Sequence, residues 1–255
     1  MDSRARVALA GKLLAMGDDE LILGHRDSEW TGHAPILEED IAFANIAVDE
    51  LGHAKTWYTL LAELGGRDPL TYPDELVFFR AAAAYRSAYL VELPKGDWAF
   101  SLLRQYLFDA AEMARLPRLA ESGYRPLAEA AAKIRKEEVY HYRHTRAWVE
   151  RLALGTEESR WRLQAALDGL WRYTPQLFAA LPDEVLLVEA GLAPNLDEVY
   201  AAWQALALPT LQETGLTIPN VRDPVVAPRE EYSQHLPALL AEMQEVARLE
   251  RGVEW

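Results

Sequence analysis

Apolar residues recur along most of this chain three and four positions apart, and strand-like alternation is scarce. Ala, Leu, Glu and Arg fill the long stretches between Gly and Pro, and all four favour helix. The pattern predicts a first helix over about 4–28, closed by the Gly- and Pro-containing turn 29–35. A second helix over about 36–63 stops at Gly65-Gly66. A third spans 74–92 and ends at Pro94 and Gly96. A fourth starts on Asp97, an N-cap residue, and ends near Gly123. A fifth runs from about 126 to 154 and a sixth over 157–179. Shorter helices follow at 183–189, 195–213 and 230–250, the last with the stripe Leu236, Leu239, Leu240, Met243, Val246, Ala247.

The expected fold is all-α, an antiparallel four-helix bundle over about 4–155 with additional C-terminal helices and a partner arm over about 156–255, together one domain. Segment 41–48 of the second helix is apolar nearly all round, which predicts burial on every side. Segment 214–228 holds three prolines and is read as non-helical, a partner-wrapping arm or a surface loop.

Two predicted helices carry Glu-x-x-His: Glu50 and His53 on the second, Glu138 and His141 on the fifth. Positions i and i+3 share a helix face, so each pair can offer a carboxylate and an imidazole to one metal ion. Glu20 lies 30 residues before Glu50 (50 − 20), and Asp109 lies 29 before Glu138 (138 − 109). The midpoints fall in the turns at Pro35 and at Gly123-Tyr124. In an antiparallel hairpin, residues equidistant from the turn sit at equal height. Each hairpin then brings its lone carboxylate beside its own Glu-x-x-His. Two such pairs plus one carboxylate from each of two other helices is the di-iron or di-manganese pattern of ferritin-like bundles. The predicted ligands are Glu20, Glu50, His53, Asp109, Glu138 and His141. All are N or O donors, which suits iron and leaves manganese open. Asp49 and Glu137 each precede a ligand glutamate and are placed to accept the free N–H of a ligand histidine, across the site.

Composition narrows the function. The chain has 255 residues, 50% of them hydrophobic, and a net charge of −14. That acidity disfavours nucleic acid and anionic membranes as partners. Without cysteine there is no disulfide, thiolate metal site, iron–sulfur cluster or Cys nucleophile. No apolar run reaches the ~18 residues of a membrane span, and no signal peptide is visible, so a soluble cytoplasmic protein is expected. No phosphate-binding glycine loop or serine nucleophile elbow is present. His33 reads as a loop hydrogen-bonder, His25 and His144 as structural residues or as hydrogen-bond partners of the metal ligands, His235 as a cap or surface residue. Lys133, Arg135, Lys136, Arg143 and Arg146 read as a solvated helix face, with the phosphates of an acyl-CoA as the alternative. Trp57, Trp148, Trp161, Trp171 and Trp203 read as core or interface packing.

The segments GDDELILGHRDSEWTGHAPILEEDIAFANIAVDELGHA, RQYLFDAAE, KEEVYHYRHTRAWVERLALGT, LWRYTPQLF and HLPALLAEMQ resemble, in this order, the C-type family of bacterial phenylacetyl-CoA epoxidase components. The resemblance covers nearly the whole chain and implies a ferritin-like bundle. In such epoxidases the A-type component carries the di-iron centre and epoxidises the aromatic ring of phenylacetyl-CoA with O₂. The C-type component is its homologous structural partner, with a degenerate metal site, and a reductase supplies electrons from NADPH. The present sequence departs from that pattern. Its six predicted ligands match the ligand positions of catalytic relatives, the benzoyl-CoA epoxidase family included. By that resemblance Glu50 and Glu138 bridge two irons, Glu20 and His53 hold one, and Asp109 and His141 hold the other. The implied role is that of one component in a multicomponent monooxygenase acting on an acyl-CoA. The implied partners are an A-type component and a reductase, with a homodimer as a further option. The alternatives are a non-catalytic scaffold with a vestigial or stabilising metal site, and a ferritin-like oxidase or metal-handling protein.

Overall fold

Local capping chemistry sets most helix boundaries. The first helix, α1 (Ser3–Ser28), starts where the Asp2 carboxylate accepts the Ala5 amide at 2.8 Å. α2 (Leu37–Gly65) ends at Gly66, whose φ of 67° is the left-handed C-cap that favours glycine. α5 (Trp98–Leu119) opens on Asp97, which accepts the Phe100 amide at 2.9 Å. α6 (Arg125–Leu154) carries Pro126 in its first turn, where a missing N–H leaves no bond unmade. α7 (Glu157–Leu170) begins in a Thr156–Ser159 capping box. The computed structural model describes residues 1–249, and every regular element among them is helical. The remaining helices are α3 (Tyr72–Phe78), α4 (Tyr89–Glu92), α8 (Glu184–Glu189), α9 (Leu196–Glu213), α10 (Leu236–Met243) and α11 (Glu245–Leu249).

α1 packs along α2 and α5 along α6, and α2 and α6 meet between the two hairpins. The hairpins are antiparallel. Arg6 near the start of α1 donates to the Leu64 carbonyl at the end of α2, and Thr145 late in α6 reaches Asp109 midway along α5. The main core runs through Leu9, Leu13, Ile22, Trp57, Phe108 and Trp203. A separate aromatic cluster of Trp30, Phe43, Ile46 and Leu102, flanked by Trp98 and Trp148, closes the end of the bundle near the α1–α2 turn. Two glycines on one face of α1 let α2 approach. A Cβ at Gly17 would lie 2.5 Å from the Tyr58 ring, and one at Gly24 would lie 2.9 Å from Glu50 Cβ and 3.0 Å from the Ala47 carbonyl.

Several expectations are corrected. The third helix does not run over 74–92: α3 stops at Phe78, a short 3₁₀ turn follows at Ala82–Ala84, and α4 is a single turn. The cause lies in α1. Buried Asp18 accepts the Arg86 amide and Asp19 the Ala88 amide, each at 2.7 Å, while Gln176 accepts the Tyr89 amide at 2.8 Å. Amides held by side chains on other elements are lost to a local helix ladder. The sixth helix ends at Leu170 and tightens into a 3₁₀ segment, Trp171–Phe178, that contains Pro175. The predicted 230–250 helix starts only at Leu236, with Pro237 in its first turn, and breaks at Gln244; residue 250 lies outside the described residues. The Gln244 amide group is turned inward to the carbonyls of Val77 and Arg80. α2 is not buried all round: Leu37, Ile41 and Val48 are exposed. The helix enclosed on every side is α1 at Asp18–Glu20. Trp161 stands on the surface, whereas Trp57 and Trp203 are core.

The Pro-rich segment is non-helical and rests on its own bundle. Val225 donates to the Arg172 carbonyl, and the Ala227 carbonyl accepts from Gln176. Arg229 Nη2 then lies 2.6 Å from both oxygens of Asp19.

Gly24→Ala is expected to destabilise the protein by about 1–3 kcal/mol, because the new methyl overpacks α1 against α2 beside Glu50. Gly52→Ala, with nothing within 4 Å of its added Cβ, is expected to stabilise by about 0.5–1 kcal/mol. Urea denaturation of both variants checks the pair.

Candidate metal centre

Three acidic residues follow one another on α1, and all three are buried. At about 100° per residue they project in three directions. Asp18 faces Tyr58 and Arg80, and Asp19 faces Arg229. Glu20 faces the middle of the bundle. There it meets Glu50 and His53 of α2 and Glu138 of α6, each offering a donor atom within 4.8 Å of the others. Glu50, Asp109 of α5 and His141 of α6 form a second such group beside it. The structure thus brings all six predicted residues together, and all six are buried.

The imidazoles fix the polarity of the cluster. His53 Nε2 donates to Glu137 Oε2 at 2.8 Å, since a carboxylate only accepts. His53 Nδ1 is left facing Glu138 Oε1 at 3.4 Å, Glu20 Oε2 at 3.6 Å and Glu50 Oε2 at 3.9 Å, with no hydrogen bond. His141 is arranged likewise. Its Nε2 faces Asp49 Oδ2 at 3.2 Å, and its Nδ1 faces Glu138 Oε1 at 3.1 Å and Glu50 Oε1 at 3.5 Å. The pairing is crosswise, each histidine held by the acid beside the other histidine's helix partner. Asp49 and Glu137 sit at the half-exposed edge, so the imidazoles bridge the interior and the surface.

Burial dominates the electrostatics. It pushes Glu50 up to about 8, with the neighbouring Glu20 carboxylate adding to the shift. Glu138 is likewise pushed to about 8 by burial and by Glu50. Burial also raises Glu20 and Asp109 well above the carboxylate range. His141 is opposed by burial, yet Glu138, Asp49 and Glu50 together raise it far above the imidazole range. Among the described residues no Lys or Arg pairs with any of the four carboxylates.

This donor set fits a pair of divalent cations. Four buried oxygens and nitrogens lack any hydrogen-bond partner and converge: Glu20 Oε2, Glu50 Oε2, Glu138 Oε2 and His53 Nδ1. Each such atom left unmatched costs about 1–3 kcal/mol, more if charged. Four carboxylates with two neutral imidazoles carry four negative charges, which two divalent ions balance.

Other functional side chains surround the cluster without a motif to announce them. Gln105 Nε2 donates to Glu50 Oε1 at 2.6 Å and Asp109 Oδ1 at 2.7 Å, and Thr145 Oγ1 donates to Asp109 Oδ2 at 2.6 Å. Their spacings, four before Asp109 and four after His141, were the available signal. Glu112 is tied to Arg115, and Asp27, pushed to about 8 by burial, lies 3.4 Å from Arg104. His33 does bond within its loop, to the Thr31 carbonyl, and His144 faces Glu39. The basic residues of α6 are exposed.

A helical bundle with buried Glu-x-x-His pairs on two helices and a carboxylate from each of two others has the architecture of the ferritin-like carboxylate proteins. The chain belongs to the family described as "Phenylacetic acid catabolic protein", which matches residues 1–255. It is 38% identical over 248 residues to the C-type component of the 1,2-phenylacetyl-CoA epoxidase of Escherichia coli (strain K12), covering 97% of this chain and 99% of that protein. It is 25% identical over 199 residues to the A-type component of the same epoxidase, covering 76% of this chain and 63% of that one. Among the described residues no helix is long and apolar enough to cross a membrane.

Raised carboxyl groups hold more protons folded than unfolded between their ordinary value and about 8. Stability of the metal-free protein therefore falls as pH rises through that window. Raised His141 acts in the same direction above its unfolded value. After chelation, denaturation at pH 8 is expected to give a stability lower than at pH 5.5 by on the order of 2 kcal/mol. Glu50→Gln is expected to shrink that difference.

Proposed function

We propose that this chain is the C-type component of a multicomponent epoxidase that acts on the aromatic ring of phenylacetyl-CoA in the cytoplasm, and that it carries its own di-metal centre. The carrying observation is a relative named as the epoxidase's C-type component that aligns over 97% of the chain, together with the converging buried ligand set. The partners under this reading are an A-type component of the same family and a reductase.

Glu20, Glu50, His53 and Glu138 would hold one metal, and Glu50, Glu138, Asp109 and His141 the other. When bound, such a metal pair supplies redox chemistry toward dioxygen. Iron is the proposed metal, and manganese suits the same donors. The chain's own residues do the rest. Glu137 and Asp49 hold each imidazole by its outer nitrogen, so that Nδ1 stays aimed inward. The aromatic cluster around Trp30 and Trp98 shields one end of the site from water.

A partner face supports the role in a complex. Leu37, Ile41, Val48 and Leu51 are exposed and, at spacings of 4, 11 and 14 from Leu37, share one side of α2. An apolar stripe of this kind marks a contact surface, and the proposed occupant is the A-type component.

Two outcomes are expected. Elemental analysis after anaerobic loading with ferrous iron should find close to two irons per chain, lost in the Glu50→Ala/His141→Ala double variant. Little metal in both proteins would leave the scaffold role. Ile41→Asp/Val48→Asp should abolish co-elution with the A-type component while leaving the iron content unchanged; undiminished co-elution would remove α2 from the interface.

A further inference from the structure

The two hairpins form a pseudo-repeat, and its halves can be compared position by position. Glu20, Glu50 and His53 in the first correspond to Asp109, Glu138 and His141 in the second. Four residues before the lone carboxylate stands Met16 in the first half and Gln105 in the second. Four residues after the histidine stands Trp57 in the first half and Thr145 in the second. All four flanking side chains are buried. In the first half they give Glu20 no hydrogen bond. In the second half both donate to Asp109, one to each oxygen.

Gln105 does more than flank. Its Nε2 spans Glu50 Oε1 and Asp109 Oδ1, so it bridges the carboxylate shared between the halves and the one unique to the second. The amide nitrogen is the atom placed there, donating to both carboxyl groups. The cost of this orientation is visible: Gln105 Oε1 is buried with no partner. An amide N–H₂ is a donor and no metal ligand. A cation drawing in Glu50 Oε1 and Asp109 Oδ1 competes with it for their lone pairs. No such competitor touches Glu20 Oε2, Glu50 Oε2, Glu138 Oε2 or His53 Nδ1.

We infer that the centre loads unequally: the Glu20–Glu50–His53–Glu138 half takes a divalent cation first and tightly, and Gln105 holds the Asp109–His141 half against the second cation. The inference rests on the di-metal reading above. Its consequence is a populated one-metal state, with Gln105 setting the gap between the two affinities.

The test is a titration of the metal-free full chain with Mn²⁺, followed by calorimetry and electron paramagnetic resonance. Two steps are expected, the second at least about tenfold weaker, since two hydrogen bonds from Gln105 compete with it. The spectrum at one equivalent should be that of an isolated Mn²⁺, with spin coupling only toward two equivalents. Gln105→Leu, which keeps bulk but removes the donors, should tighten the second step about tenfold and leave the first unchanged. Glu20→Ala should abolish the tight step, and Asp109→Ala should spare it. The inference fails if the wild type takes up two equivalents in one step with coupling from the first addition. It fails equally if Gln105→Leu leaves the two affinities as they were, or if Asp109→Ala rather than Glu20→Ala removes the tight step. Should Gln105→Leu not fold, the wild-type titration and the two alanine variants still decide. Absence of Mn²⁺ binding to folded wild type would instead overturn the di-metal reading, and the inference with it.

Discussion

Everything in this bundle is arranged around four carboxylates that the fold takes out of water without giving any of them a Lys or Arg partner among the described residues. An ionised carboxylate moved into a protein interior costs several kcal/mol, and a whole domain is stable by only about 5–15 kcal/mol. Four together cannot be carried as anions by packing alone. Either protons stay on them, as their raised values describe, or a cation joins them. The surrounding apolar core makes the choice sharp, because it removes the water that would otherwise solvate the charges.

The rest of the architecture holds that cluster in place. α1 is the central element, and it needs partners on all sides at one height. Asp18 and Asp19, beside Glu20, recruit the backbone amides of Arg86 and Ala88 and the side chains of Arg80 and Arg229. Those contacts tie the broken 79–92 segment and the C-terminal strap to the same turn of α1 that presents Glu20. Gly17 and Gly24 bring α2 close to α1 on the side of Glu20, and the Gly24 contact falls directly on Glu50. A disturbance in the tail at Arg229 is therefore one residue away, along α1, from a proposed ligand.

The helical hairpins and the six-residue cluster were legible because both are governed by strictly periodic geometry. A rise of ~1.5 Å per residue and an i, i+3 face convert spacing in sequence into position in space. What was not legible depended on competition from distant side chains. Nothing local in 79–92 forbids helix; its amides are claimed by carboxylates at positions 18 and 19 of α1. The exposed side of α2 was misread for a related reason. Hydrophobicity at Leu37, Ile41 and Val48 does not by itself decide burial, since much of a folded protein's surface is apolar. Gln105 announces itself only by standing four residues before Asp109, because a lone buried amide carries no motif.

The pseudo-repeat shows how one repeated constellation can be weighted toward holding rather than reacting. Replacing Met16 and Trp57 of one half by the donors Gln105 and Thr145 of the other changes no ligand, yet it alters what the ligands do when no metal is present. In the first half Glu20 Oε2, Glu50 Oε2, Glu138 Oε2 and His53 Nδ1 stay unmatched, which under the inferred order is what favours cation uptake there. In the second half Asp109 is already satisfied, and its one-methylene-shorter side chain keeps it close to the α5 residue that satisfies it. In that order the unmatched half binds first because leaving it without a cation is costly, whereas Asp109 already has its hydrogen bonds. Under the loading order inferred above, a centre built this way keeps its first metal and reserves the second position for conditions in which a cation outcompetes an amide.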